Sequence, residues 1–374
     1  MPGALHGLRV LDLTSNLSGP YCCMMLADHG AEVIKLEQPG KGDAARQMPP
    51  FVNGQSAPFM IWNRNKRSVA IDLKRDAARF LELVDGADFV VENFRPGVMA
   101  RLGLGWEAIH ARNPRVIMGS ISGFGQTGPY APRGGFDLIA QAMSGLMSIN
   151  GPAEGPPFRL PIAISDVAAG MFLAFGLLAA LEARHQSGQG QHVETSLVEA
   201  ATSFCVYEAA HYFATGTRPP RIGQQHRGSA PYQVFATADG FITIGASQQH
   251  FFQALCGIVG LPELVADPRF ASVADRVAHN GALVAALAVP LRARPSAHWL
   301  AALEAAGIPA GPVLGFDQVL TDPHMLARGM VVETEHPVTG KFRTLGVPVK
   351  LSATPGAVRA PAPRLGEHTD EVLG

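Results

Sequence analysis

The sequence predicts an α/β fold: a parallel sheet with helical crossovers, followed by a smaller α+β region. Three observations carry this. Short apolar runs alternate with helix-length segments through the first third of the chain. The character changes at Thr217-Arg218-Pro219-Pro220, beyond which the elements are shorter and a hairpin signal appears. Between these regions lies a run, from residue 167 to residue 181, with no charged side chain. Such a run fits a helix buried in a large core.

The elements follow in order. Residues 8–13 read as a buried strand. Gly19-Pro20 opens a helix, Pro being tolerated in a first turn, and His29-Gly30 closes it. Residues 32–37, 68–73, 88–93 and 115–121 are four more strands, and a helical pattern covers 75–84. Strands spaced by such helices require parallel crossovers. A Gly- and Pro-rich loop spans 123–135. Helices are expected over 136–148 and 166–185, the second stopped by Gly188-Gln189-Gly190. A strand over 192–197 and a helix over 198–216 complete this part. Beyond the boundary, Asp239-Gly240 turns a hairpin between strands 232–236 and 241–246. Helices are expected over 248–259, 280–292 and 297–306, with β character again over 330–335 and 342–351.

Bulk properties exclude several classes. The 374 residues are 47% hydrophobic and 16% charged, so the chain can build a sizeable core. A net charge of −1 gives no footprint for nucleic acid. Cys22, Cys23, Cys205 and Cys256 are unpatterned, and no CxxC or HExxH is present, so neither a disulfide scaffold nor a zinc site is predicted. The start, Met1-Pro2-Gly3-Ala4-Leu5-His6, lacks the features of an export signal. The apolar run after Asp166 is read as too short for a membrane span. A cytoplasmic protein without membrane or nucleic-acid partners is expected.

The candidate chemistry begins with Asp166, at the mouth of the uncharged run. Asp is a favoured helix cap. An ionised carboxylate at a helix start is also what nucleophilic catalysis needs. From local sequence the cap is the commoner role, and the two are compatible. The first strand-to-helix turn, Thr14-Ser15-Asn16-Leu17-Ser18-Gly19-Pro20, is not GxGxxG, which disfavours a nicotinamide oxidoreductase. An ordinary cap by Ser18 is the simplest reading there. Lys74, Asn93 and Arg95 fall at strand ends, with Arg101 one turn into the next helix and Lys41 in the loop 39–43. Ligands gather at the carboxyl ends of strands in open parallel sheets. This recurrent placement of cations fits a phosphate-bearing ligand. Asp137 reads as the cap of its own helix, and His226 as a solvated loop residue.

The segments Gly7-Leu8-Arg9-Val10-Leu11-Asp12, Gly19-Pro20, Leu26-Ala27-Asp28-His29-Gly30-Ala31-Glu32-Val33-Ile34-Lys35-Leu36-Glu37, Gly42-Asp43, Asn65-Lys66-Arg67-Ser68, Val91-Glu92-Asn93-Phe94-Arg95-Pro96-Gly97, Asn113-Pro114-Arg115-Val116-Ile117, Gly188-Gln189-Gly190-Gln191 and Gly366-Glu367-His368-Thr369 run in order from end to end. Together they resemble the class III CoA-transferases, the family of formyl-CoA transferase and the α-methylacyl-CoA racemases. The resemblance implies an interlaced homodimer. It also implies a Rossmann-like large domain begun by residues 1–216, a linker at 217–230, a small α+β domain at 231–329 and a segment, 330–374, returning to the large domain. The implied activity is CoA transfer from an acyl-CoA to a small carboxylic acid, with CoA as substrate and no permanently bound cofactor or metal. Asp166 takes the place of the nucleophile, passing through an aspartyl anhydride and an aspartyl-CoA thioester. The CoA contacts fall on Asn16, Leu17, Gln38, Ile71, Lys74, Asn93 and Arg101.

Departures from the family pattern sharpen the expectation. Some relatives have Arg at the position of Gln38, and Lys41 is a substitute. The racemases carry His directly before the position of Asp137, where this chain has Phe136. Without that imidazole a two-base proton exchange lacks a partner, so transfer is favoured over racemisation. Formyl-CoA transferase has Trp at the position of Met48, and its glycine-rich loop is here residues 223–229. Met48, Asp137, Gln141, His226 and Arg227 are the expected substrate contacts, the last two suited to a dicarboxylate.

Overall fold

A computed structural model describes residues 2–374. Six strands build one parallel sheet: β1 (Arg9–Asp12), β2 (Glu32–Glu37), β3 (Lys66–Ala70), β4 (Phe89–Glu92), β5 (Ile117–Ser122) and β6 (His192–Ser196). Their order across the sheet is β3-β2-β1-β4-β5-β6. Every pairing is parallel, with Val10 of β1 opposite both Val33 of β2 and Phe89 of β4. This is the doubly wound order, and the chain reverses direction across the sheet between β1 and β4.

Both faces of this sheet are covered, which is why its strands are apolar on both sides. One face carries α1 (Ser18–Asp28) and α3 (Ile164–Ser187), whose Cys22, Leu26, Leu173 and Leu177 pack with Val10, Val33 and Ile117. The other carries Phe80, Val84, Leu104 and Ile109 against Leu11, Ile34 and Val90. α1 and α3 approach closely at Gly170, where a Cβ would lie 2.6 Å from Ser18 O. α3 ends at Gly188 in the left-handed conformation (φ 75°), which suits glycine.

Several expectations are corrected. The segment 136–148 is not one helix: α2 (Asp137–Met143) stops before Gly145, whose φ is 91°. The segment 198–216 is likewise two helices, α4 (Leu197–Ser203) and α5 (Val206–Thr215). The helix after Asp166 is not too short for a membrane. At 24 residues it is the one helix among the described residues long and apolar enough to cross one. Here its Ala168, Ala169, Leu173 and Leu177 are buried in the core.

The chain divides into two compact units. The first comprises 1–147, 159–217 and 322–374. Its last segment contributes a hairpin, and the N–H of His368 donates to Ser68 O of β3 at 2.9 Å. The second unit comprises 148–158 and 218–321. Its antiparallel sheet pairs β7 (Tyr232–Ala236) with β8 (Phe241–Gly245), turned at Asp239-Gly240 as expected, and β8 with β9 (Ala310–Pro312). The helices Gln249–Ile258, Asn280–Leu291 and Ser296–Ala305 bury Phe252, Leu287 and Trp299 against that sheet's Phe235, Ile242 and Ile244.

Candidate active site

The first turn of α3 does not follow the cap reading. Ala163 holds the cap position without a side-chain bond, and Asp166 is the third helical residue. The cap comes from another helix. Asp137, in the first turn of α2, accepts from the Ser165 N–H through Oδ1 at 2.9 Å. Its Oδ2 accepts from Gln141 Nε2 at 2.8 Å. Asp137 therefore does not cap its own helix, whose cap position is Phe136.

Asp166 itself is partly buried, and the structure records no hydrogen bond to its carboxyl. Burial, and then the charge of Asp137, push its pKa up to about 7. Two carboxyls share this corner, one fixed by two donors and one uncommitted. Near neutral pH the uncommitted one is available both as a carboxylate and as a basic one, the condition for a nucleophile. Phe136, beside the pair in sequence, is 73% exposed.

Beneath the first strand-to-helix turn lies a second ionisable cluster, which sequence reasoning missed. Lys66 Nζ donates to Asp12 Oδ2, Pro20 O and Asn63 Oδ1, each at 2.9 Å. Lys35 Nζ meets Asp43 Oδ2 and Thr14 O, each at 2.8 Å. Asp43 Oδ1 accepts from the N–H groups of Asn16 and Ala45. Glu37 holds Arg46 and Ser68. All these carboxylates are buried, which alone would raise them. Lys35 and Lys66 outweigh burial at Asp12, Lys35 does so at Asp43, and Arg46 with Lys35 does so at Glu37, leaving all three lowered. The available signal was a charge placed inside an apolar strand, Asp12 in β1 and Lys35 in β2; Lys66 precedes the strand expected over 68–73 and in the structure opens β3.

This cluster shapes the turn. Asn16 takes a left-handed conformation, φ 67°. Asn93, at the end of β4, accepts from Ser15 N–H at 2.9 Å and donates to Ser15 O at 2.8 Å. The expected Ser18 cap is corrected: Leu17 holds that position, and Ser18 Oγ instead accepts from Asn93 at 3.3 Å. Adjacent Glu92 is buried, which raises it to about 7 against the lowering hydrogen bonds from Ser120 and the Phe94 N–H.

The remaining sequence candidates are placed as follows. Asn16, Gln38, Lys74 and Arg101 are exposed, Leu17 half-buried and Ile71 buried. Met48 packs against Ala45, Phe59, Met60 and Ala362. Gln141 is fully buried, with its carboxamide engaged by Asp137 and the 160–162 arm. His226 and Arg227 belong to the second unit. The His226 ring meets Tyr232 edge-on at 5.3 Å, and Arg227 donates to Pro220 O at 2.7 Å. His226, Gln224, Gln225, Tyr232 and Thr243 border a cavity of about 610 Å³ in that unit. No cluster of metal-ligating side chains occurs among the described residues.

A doubly wound α/β scaffold with an uncommitted carboxyl at the start of a core helix places the protein in the α/β class, with a candidate site at that carboxyl. The chain belongs to CoA-transferase family III, whose model matches residues 5–369. It is 42% identical, over 98% of its length and 94% of the relative's, to an acetyl-CoA:oxalate CoA-transferase of Acetobacter aceti. It is 40% identical to a succinyl-CoA:glutarate CoA-transferase of Mus musculus, over 99% of this chain and 85% of that one. A crystal structure of a CAIB/BAIF family protein from Brucella suis matches with a TM-score of 0.90 and 35% identity, covering 100% of both chains. The protein is thus a family III CoA-transferase, and the family resemblance in its motifs holds along the whole chain.

Proposed function

We propose that the protein moves CoA from an acyl-CoA to a dicarboxylate, with Asp166 as the covalent nucleophile. The observation that carries the reading is the Asp166 carboxyl itself, without a hydrogen bond and raised to about 7 at the start of α3. Its carboxylate oxygen attacks the thioester carbonyl. The C–S bond breaks, leaving a mixed anhydride and CoA thiolate. The thiolate then attacks the aspartyl carbonyl of the anhydride, releasing the donor acid and forming an aspartyl-CoA thioester. The acceptor carboxylate attacks that thioester and expels the thiolate. The thiolate finally takes the acceptor acyl group and restores Asp166. Splitting one exchange into smaller steps is the physical advantage.

The dicarboxylate reading is supported by the oxalate and glutarate in the relatives' names. On this reading CoA lies along Asn16, Leu17, Gln38, Ile71, Lys74, Asn93 and Arg101, and the acceptor meets Met48. Exposed Lys74 and Arg101 suit phosphates, while Asn93 supports the turn as well. The working form is an interlaced homodimer in the cytoplasm. Its support is an apolar surface: Met171, Phe172 and Phe175 on α3 are 48%, 40% and 73% exposed, and Phe213 on α5 is 84% exposed. A second copy covering this surface would remove it from water.

The test is a panel assay in which succinyl-CoA and acetyl-CoA are offered with mono- and dicarboxylates and products are read by mass. Transfer to dicarboxylates, with hydroxylamine trapping on Asp166 during turnover, is the expected result. Trapping on another residue would overturn the nucleophile assignment.

A further inference from the structure

We propose that Gln141 is a positioning residue for the transfer reaction: its buried carboxamide holds Asp137 on the Ser165 amide, so that Asp166 is left free of its own helix. The proposal rests on the reading of Asp166 as the attacking group.

Gln141 is fully buried, and none of its hydrogen bonds goes to the Asp166 carboxyl. Its Nε2 reaches Asp137 Oδ2 at 2.8 Å, Ile162 O at 3.2 Å and Leu160 O at 3.3 Å, and its Oε1 accepts from the Leu160 N–H at 2.8 Å. One side chain thus ties α2 to the arm that leads into α3. A buried amide satisfied on both ends fixes its partners closely, because leaving any of them unpaired is costly.

What this fixes is the use of the first-turn donors of α3. The Ile164 N–H donates to Ile162 O and the Val167 N–H to Ala163 O. The Ser165 N–H is taken by Asp137. A carboxylate at the third position of a helix ordinarily turns back onto first-turn or cap amides. The Ser165 donor is thus closed to Asp166, and the structure records no acceptor for the Asp166 N–H either. That N–H is left to meet developing negative charge. The other elements packed against α3 carry Tyr21, Cys22, Cys23 and Asp28 on α1, Glu199 on α4 and His192 and Glu194 on β6. Only Asp137 acts on Asp166 through its charge.

Removing the carboxamide releases Asp137 and the arm together. Asp137 turns to solvent, the Ser165 N–H becomes free, and the Asp166 carboxylate caps its own helix. A capped carboxylate is less basic and less nucleophilic.

The experiment uses the full chain with Gln141→Leu, Gln141→Glu and the exchange variant Asp137→Asn/Gln141→Glu. In the exchange variant the 137–141 hydrogen bond reforms with donor and acceptor swapped. Two quantities are read: kcat and KM for transfer from succinyl-CoA to glutarate, and the titration of the Asp166 carboxyl by 13C NMR, assigned through its loss in Asp166→Asn. In Gln141→Leu, kcat falls about 30-fold while KM for succinyl-CoA stays within about two-fold. The Asp166 midpoint falls by about one pH unit or more. Gln141→Glu places a carboxylate against Asp137 and loses more, and the exchange variant recovers about ten-fold of that loss. If Gln141→Leu does not fold, the exchange pair carries the test. A folded Gln141→Leu protein with unchanged kcat and midpoint overturns the proposal. So does an exchange variant no better than Gln141→Glu. If the wild type transfers no CoA from any donor, the nucleophile reading fails, and the NMR midpoint alone decides whether Gln141 sets the state of Asp166.

Discussion

The large unit contains two groups of carboxylates, one buried and one half-buried, that face opposite situations. Under the first turn, Asp12 and Asp43 each have a lysine ammonium within 3 Å and further donors besides. At the start of α3, Asp166 has a second carboxyl for a neighbour and no donor. Burial acts on both groups in the same direction, raising them, and only the partner decides the outcome. The paired carboxylates are lowered and the unpaired one is raised to about 7. The contrast separates charges that hold the architecture from a carboxyl that no donor holds.

The strongest way to break the comparison is Asp166→Asn. Transfer is expected to fall by at least about 10³-fold while the fold persists, as the nucleophile role proposed for Asp166 demands. The same change should help stability at high pH. A carboxyl whose folded pKa lies above its unfolded value opposes folding as pH rises between the two, here from about 4 to about 7. The Asn variant therefore gains about 2–4 °C in Tm at pH 8 and nothing at pH 4, read by thermal melts.

Next in size is the loss of a structural pair. Lys66→Met strands Asp12 in the core and is expected to destabilise by about 3–5 kcal/mol in urea unfolding. Its pH dependence runs opposite to that of Asp166. Asp12 and Asp43 are lowered, so their stabilisation is present above about pH 4 and is lost as pH falls through their folded values.

A smaller effect sharpens the comparison at the site. The acid limb of kcat/KM should bend near pH 7, with activity falling about ten-fold per unit below it as Asp166 protonates. Asp137→Asn keeps an acceptor for the Ser165 N–H but removes the charge, and the bend should move to lower pH. A limb that stays in place would show that Asp137 acts through geometry alone. The smallest effect is expected from Gly170→Ala, whose Cβ meets Ser18 O at 2.6 Å. Forcing α1 and α3 apart should cost about 1–3 kcal/mol, measured by unfolding.

Much of the architecture is written locally. The apolar strands of the parallel sheet, the helix stop at Gly188 and the hairpin at Asp239-Gly240 follow from periodicity and turn chemistry over a few residues. Asp166 also stands out locally, as a charge at the edge of an uncharged run. The ordered family motifs then specify CoA transfer. What the linear sequence could not show is which distant groups meet. Asp137 and Ser165 are 28 positions apart, Asp12 and Lys66 are 54 apart, and Asn93 and Ser15 are 78 apart. Read alone, none of these residues names its partner. A buried carboxyl is fixed or reactive according to the partner brought beside it, and that partner is supplied only when crossovers and helix packing close these separations.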